Sequence, residues 1–293
     1  MALRTVLFLL TNLAVVLTIS LLLGLLAAAG VVPSDLPLGP LLLASFGWGA
    51  VGSWLSLQWS AASAKRMLGV QVINDLNDST CRNLVNRVEA LAGQAGLPMP
   101  EVGIYDSPEW NAFATGPSPD RALVAVSSGI LEGMPPQALD AVLAHELSHV
   151  ANGDMVTMTL LQGVINAFVM FLARAAVLLL PSGSRDGEQR SAPPPMLLVW
   201  PLEVMLGLVG SLITAWFSRH REFRADAGAA SLTGAGAMVE ALQLLGQVSG
   251  LRDPHQEPAL ATLKISGSSG LLGLLASHPP LERRIAALQR LGA

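Results

Sequence analysis

Apolar residues in this chain gather into four long runs with polar stretches between them. The runs cover about Thr5 to Val32, Leu36 to about Ser60, about Val156 to Leu180, and about Met196 to Phe217. About 20 apolar residues cross the hydrocarbon of a bilayer, so each run predicts a transmembrane helix. The first is longer than a signal-peptide core of about 7–15 residues. No clean cleavage pattern follows it, which predicts a retained helix. Pro33-Ser34-Asp35 is a tight polar turn, so residues 1–63 predict a helical hairpin. Pro181 to Pro195 is rich in Ser, Gly, Pro and charge and predicts a loop. Residues 155–217 therefore predict a second hairpin.

The polar stretches follow other periods. Leu76, Leu84, Val85, Val88 and Leu91 recur at helical spacing and predict a helix from Asp75 to about Gly93. Val102 to Tyr105, Asn111 to Thr115 and Ala122 to Ser127 predict three short strands. An apolar helix is predicted to start about Ala138, behind Pro135-Pro136-Gln137. The fold class is mainly α with a small β-sheet (α+β), with four transmembrane helices. The first part of a polar domain covers residues 64–154 and the second part covers 218–293.

Composition agrees with a lipid environment. Of the 293 residues 52% are hydrophobic and 13% charged, against about a quarter charged in a soluble protein. A net charge of −4 gives no support to nucleic-acid binding, which usually needs a clustered basic surface, and no nucleic-acid partner is expected. The single cysteine, Cys81, excludes an internal disulfide and a Cys-based zinc cage. It is read as a small residue on a helix.

The charges also set orientation. Arg4, Lys65, Arg66, Arg219, Arg221 and Arg224 flank the runs on one side, against Arg185 and Arg190 in one loop on the other. Basic residues favour the cytoplasm, so both termini and both polar segments are expected there. Arg174 and Glu203 lie within the third and fourth runs, about six and seven residues from the loop between them. A charge in hydrocarbon pairs or faces a polar cavity. Either the two pair or each snorkels to the interface.

The chemistry lies in His145-Glu146-Leu147-Ser148-His149. Residues i and i+4 share a helix face, so both imidazoles can reach one ion. Glu146 points to the flank, where it can take a proton from the water that the metal activates. Chance alone gives the pattern in roughly one chain of this length per hundred, so its surroundings matter. A catalytic zinc site needs a third ligand. Candidates are His220, His255, His278 or a carboxylate. Glu222 and Asp226 are again i and i+4, in Ser218-Arg219-His220-Arg221-Glu222-Phe223-Arg224-Ala225-Asp226. That pair reads either as ligands or as a solvated helix face. His255 lies in a loop sequence, and Asp154 reads as a cap or orienting residue at the end of the His helix. Glycines and serines at 266–270 suggest a lid.

Four segments in order, NAFATG (111–116), HELSHVANGDM (145–155), SRHREFRAD (218–226) and HPPLERRI (278–285), resemble the HtpX-type membrane proteases. These are gluzincin metallopeptidases related to the CAAX prenyl proteases. The likeness extends over nearly the whole chain, including the placement of the four runs. It implies a gluzincin-like cytoplasmic domain with one Zn2+ per chain. His145, His149 and Glu222 match the metal ligands, and Glu146 the general base. Asp226 matches a residue that orients a ligand imidazole. Asn111, Ala112 and Phe113 resemble an edge strand that pairs with extended substrate. His278 resembles an oxyanion donor, with Arg284 six residues on; otherwise it is a helix-entry residue before Pro279-Pro280. The implied activity is proteolysis of misfolded or membrane-associated proteins at the bacterial inner membrane, as quality control under stress. A non-cleaving zinc-binding adaptor and a metal transporter are the competing classes. The intact Glu146 speaks against the first, and the ligands' place outside the spans against the second.

Overall fold

A computed structural model describes residues 16–21, 24–25, 28–30, 36–179, 195–248 and 278–291. Most of the first apolar run, the loop 181–194, His255 and the glycine-rich stretch at 266–270 lie outside the described residues. Two compact units are present, one of residues 1–55 and 159–213, the other of 56–158 and 214–293.

Helix α1, Leu38–Leu68, has 31 residues. At about 1.5 Å per residue it is longer than a bilayer's hydrocarbon is thick. Lys65 and Arg66 in its last turn complement the negative end of the helix dipole. Gly69, at φ 65°, ends it. Strand β1 (Gln71–Val72) leads to helix α2 (Ser79–Gln94), then β2 (Glu101–Tyr105), β3 (Ala112–Thr115) and β4 (Leu123–Ser127). A short helix α3 (Ser128–Gly133) precedes α4 (Pro136–Asn152), which carries both motif histidines. Helices α5 (Asp154–Leu179), α6 (Pro195–Thr233), α7 (Ala235–Val248) and α8 (Leu281–Leu291) follow.

Several elements depart from the sequence reading. The helix expected from Asp75 begins at Ser79, because the Asp78 carboxylate caps it by accepting from the Cys81 N–H at 2.8 Å. Leu76 is left outside the helix and 43% exposed. The helix of the fourth apolar run does not end with the run at Phe217. Helix α6 runs unbroken for 39 residues and contains Glu222 and Asp226. Strand β1 and helix α3 carry too few residues to show a period. Among the described residues three helices are long and apolar enough to cross a membrane: α1, α5 and α6.

In the first unit the helices meet at small residues. A Cβ on Gly49 of α1 would lie 2.6 Å from the Gly163 carbonyl oxygen of α5. Glycines at such a crossing let backbones approach without lipid between them. The Arg174 guanidinium pairs with the Glu203 carboxylate across α5 and α6. Pairing, rather than separate snorkelling, accommodates these two charges.

In the second unit the sheet order is β1-β2-β4-β3. Strands β2 and β4 are parallel, and β3 lies antiparallel to β4 at the sheet's edge. Side chains alternate across the sheet. Val124, Val126 and Ala112 join a core with α2, α4 and α7, while Leu123, Ala125, Phe113 and Tyr105 pack on the other face with Ala64 of α1. Helix α4 is buried at every position from Ala141 to Val150. A helix buried all round is rigid, which suits one that carries the site.

Candidate metal centre

Helix α4 starts with Pro136 in its first turn and ends at Gly153, whose φ of 64° is left-handed. Between these ends His145 and His149 lie one turn apart, with their Nε2 atoms 3.2 Å from each other. Glu222 of α6 completes the group. Its Oε1 is 3.2 Å from His149 Nε2 and its Oε2 3.5 Å from His145 Nε2. The carboxylate is fully buried. Small size at the crossing allows this approach. A Cβ on Gly228, further along α6, would come within 2.5 Å of the Ser148 Oγ.

Each imidazole is oriented by a carboxylate. His145 Nδ1 lies 3.0 Å from Asp226 Oδ1, and His149 Nδ1 lies 2.8 Å from Asp154 Oδ2. With each Nδ1–H donated, the two Nε2 lone pairs face one another. Two lone pairs at that separation repel unless a proton or a cation lies between them. A tetrahedral metal with donors at about 2.0–2.1 Å has donor–donor edges of about 3.3–3.4 Å. The His145–His149 and His149–Glu222 Oε1 separations, 3.2 Å each, are close to that edge, and the 3.5 Å approach to His145 is made by the other carboxylate oxygen, Oε2. Glu222 Oε1, buried and without a hydrogen bond, is the acceptor such an ion would satisfy. His145, His149 and Glu222 can therefore hold a metal ion.

The remaining residues sit close by. Arg284 of α8 is completely buried. It grips Asp226 with two bonds, Nε to Oδ2 at 2.8 Å and Nη2 to Oδ1 at 2.5 Å. A bidentate pair of this kind offsets the cost of burying an arginine. His278 donates from Nδ1 to Glu222 Oε2 at 2.8 Å, and its Nε2 is buried without a partner. Glu146 is 6% exposed, and no hydrogen bond engages it among the described residues. His220 turns away, its Nδ1 3.0 Å from the Trp216 carbonyl oxygen. The Asn111 Oδ1 is buried without a partner. The side chains of Ala112 and Phe113 are core residues, 1% and 2% exposed. Only their backbone is available to pair with a substrate. Asp154, a cap or orienting residue by sequence, is the carboxylate on His149. The pattern Asn152-Gly153-Asp154 carried the signal, since a left-handed glycine turns the next residue back on the helix.

Burial alone lowers the His145 pKa, but hydrogen bonds to Asp226 and Glu222 outweigh it and raise the value to about 9 in the metal-free protein. His149 is raised likewise by Asp154 and Glu222 against its own desolvation. A metal needs the neutral nitrogen, so the proton must leave below about pH 9. Metal affinity is therefore expected to rise from pH 6 to pH 9, by up to about tenfold per pH unit for each proton displaced. Chelator competition at stepped pH checks this, and a flat profile contradicts it.

An HExxH helix joined by a glutamate from a second, largely apolar helix defines a membrane-associated metalloprotease. The model of peptidase family M48 matches residues 78–291. Protease HtpX of Aeromonas hydrophila is 48% identical over 292 residues, 98% of this chain and 99% of the relative. Protease HtpX of Pasteurella multocida is 48% identical over 290 residues, 98% of each chain. The crystal structure of S. mikatae Ste24p aligns with a TM-score of 0.61 at 20% identity, over 91% of this chain and 64% of that one. That likeness concerns the fold alone. The chain belongs to peptidase family M48. A non-cleaving adaptor is not favoured, since the relatives are proteases over their full length.

Proposed function

We propose that the chain is a zinc endopeptidase of the bacterial cytoplasmic membrane, with one Zn2+ held by His145, His149 and Glu222. The observation that carries this reading is the convergence of those three side chains, with donor atoms 3.2–3.5 Å apart. Two nitrogens and one carboxylate are an ordinary catalytic zinc set that leaves a position open. Zinc, when bound there, supplies Lewis acidity towards a carbonyl and a water.

The chain's own residues do the rest. Glu146, free of hydrogen-bond partners among the described residues, accepts the proton of the attacking water and delivers it to the leaving amine. His278, held against Glu222 through Nδ1, donates a hydrogen bond to the oxyanion. Arg284 and Asp226 hold His145 in the tautomer that offers Nε2. Substrate adds to the free edge of β3. Ala112 and Ala114 alternate with the residues bonded to β4, so their backbone groups point outward. Ala114 is half-buried where Ala112 is covered, which makes Ala114 the accessible rung. Asn111 binds substrate backbone at the start of the strand.

The site lies near the membrane on this reading. Arg219 is the first charge after the apolar part of α6, and Glu222 follows three residues later. That is about 4.5 Å along the helix. Four spans, with the first apolar run as the fourth helix, put both polar segments and the site on the cytoplasmic side. The substrates are misfolded or membrane-associated proteins cut close to the bilayer, as quality control under stress. In proteoliposomes a single-span protein with an unfolded juxtamembrane segment is expected to be cleaved in that segment. Chelation should stop cleavage and zinc restore it. Cleavage that resists chelation would overturn the reading.

A further inference from the structure

His145 and His149 are held by two chains of the same composition. On one side His145 bonds Asp226, which Arg284 grips. On the other, His149 Nδ1 is 2.8 Å from Asp154 Oδ2, and Asp154 Oδ1 is 3.1 Å from Arg224 Nη2. The two chains differ in depth. Asp154 is fully buried, as Arg284 is, but the Arg224 side chain is 60% exposed.

The local fold explains how Asp154 gets there. Residue i+5 would not share a face with His149 on a continuing helix. Gly153, left-handed at φ 64°, ends α4, and Asp154 opens α5 at once. The reversal carries the carboxylate back to the imidazole five residues earlier. Arg224 stands two residues after Glu222 on α6, so one helix brings both a candidate ligand and the clamp on the opposite ligand's partner. A buried carboxylate is costly unless its charge is met, and Arg224 is the cation that meets it.

We propose that Asp154 is a positioning residue that aims His149 at the metal, and that Arg224 holds Asp154 in place as the outer, solvent-facing member of a second His–Asp–Arg chain. The inference rests on His149 being a metal ligand. It assigns the strength of metal binding to a charge pair that water and salt reach, whereas the Arg284 pair is sealed. Raising the salt concentration weakens an exposed pair and leaves a buried one nearly untouched. Part of the metal affinity therefore varies with ionic strength through Arg224.

The competing role for Asp154 is local, as an acidic residue in the first turn of α5. Asparagine keeps the side chain's shape there and gives up only a small interaction with the helix dipole, but it carries no charge for Arg224. The test uses the full chain in detergent and measures metal affinity by chelator competition, with the cobalt-substituted absorption spectrum as a second reading. Asp154→Asn is expected to lose about 10–100-fold in affinity and to shift the cobalt bands, while the metal-free protein unfolds as the wild type does. Arg224→Ala is expected to lose less and to abolish the salt dependence seen in the wild type. Unchanged affinity and cobalt bands in Asp154→Asn would overturn the inference, as would a loss matched by equal destabilisation of the metal-free protein. If the wild type itself bound no metal, the ligand assignment would fail first and this inference with it.

Discussion

Glu146→Gln is expected to retain its metal and lose cleavage by about 10²–10⁴-fold. The side chain is buried, 6% exposed, on the same rigid helix as both histidines. It stands outside the group that could hold the ion, His145, His149 and Glu222. Glutamine has the same shape and still accepts a hydrogen bond, so packing and the ion are preserved. It cannot take a proton from the attacking water or return one to the amine. On the proposed roles the loss falls on kcat, because the step removed belongs to the transition state. Metal analysis and turnover of a quenched peptide, on the same preparation, give both halves of the result. Turnover near the wild-type rate with the metal in place would remove Glu146 as the base.

Glu222→Ala is the second large effect. On the proposed ligand set it takes the one oxygen donor from a fully buried position and leaves only the two histidines for the ion. A structural site is worth about 10–16 kcal/mol over its ligands. Losing one of three is then expected to cost about 3–5 kcal/mol, or roughly 10²–10³-fold or more in affinity. His278 loses its acceptor as well, since its Nδ1 bonds Glu222 Oε2. Arg284 keeps both bonds to Asp226, so α8 is expected to stay docked. Addition of metal should no longer raise the melting temperature of this variant, whereas it raises that of the wild type.

Much of this site could be read from the residues. The i, i+4 spacing of His145 and His149 specifies a shared helix face, and α4 provides it. The equal depth of Arg174 and Glu203 on adjacent runs left pairing and separate snorkelling equally open, and the structure pairs them. Glu222 was harder. Spacing alone left its pair with Asp226 equally readable as a solvated face, because the elements that bring α6 against α4 lie between them in the chain. Only the resemblance singled it out, and the distances to both histidines bear on it directly. The bond from Asp154 to His149 lies beyond helix periodicity, which stops at Gly153; the glycine before Asp154 is the one sequence sign of the reversal. Leu76 misled for the opposite reason. It fits the helical period, but the cap at Asp78 starts the helix after it.

The proposed metal site is split across the chain, with two ligands and the base in one polar segment and the third ligand in the other. Metal content per chain for Glu146→Gln and Glu222→Ala, purified side by side with the wild type, tests it most directly. The account predicts an ion in the first variant, as in the wild type, and little or none in the second. A Glu222→Ala protein that holds its metal as firmly as the wild type would contradict it.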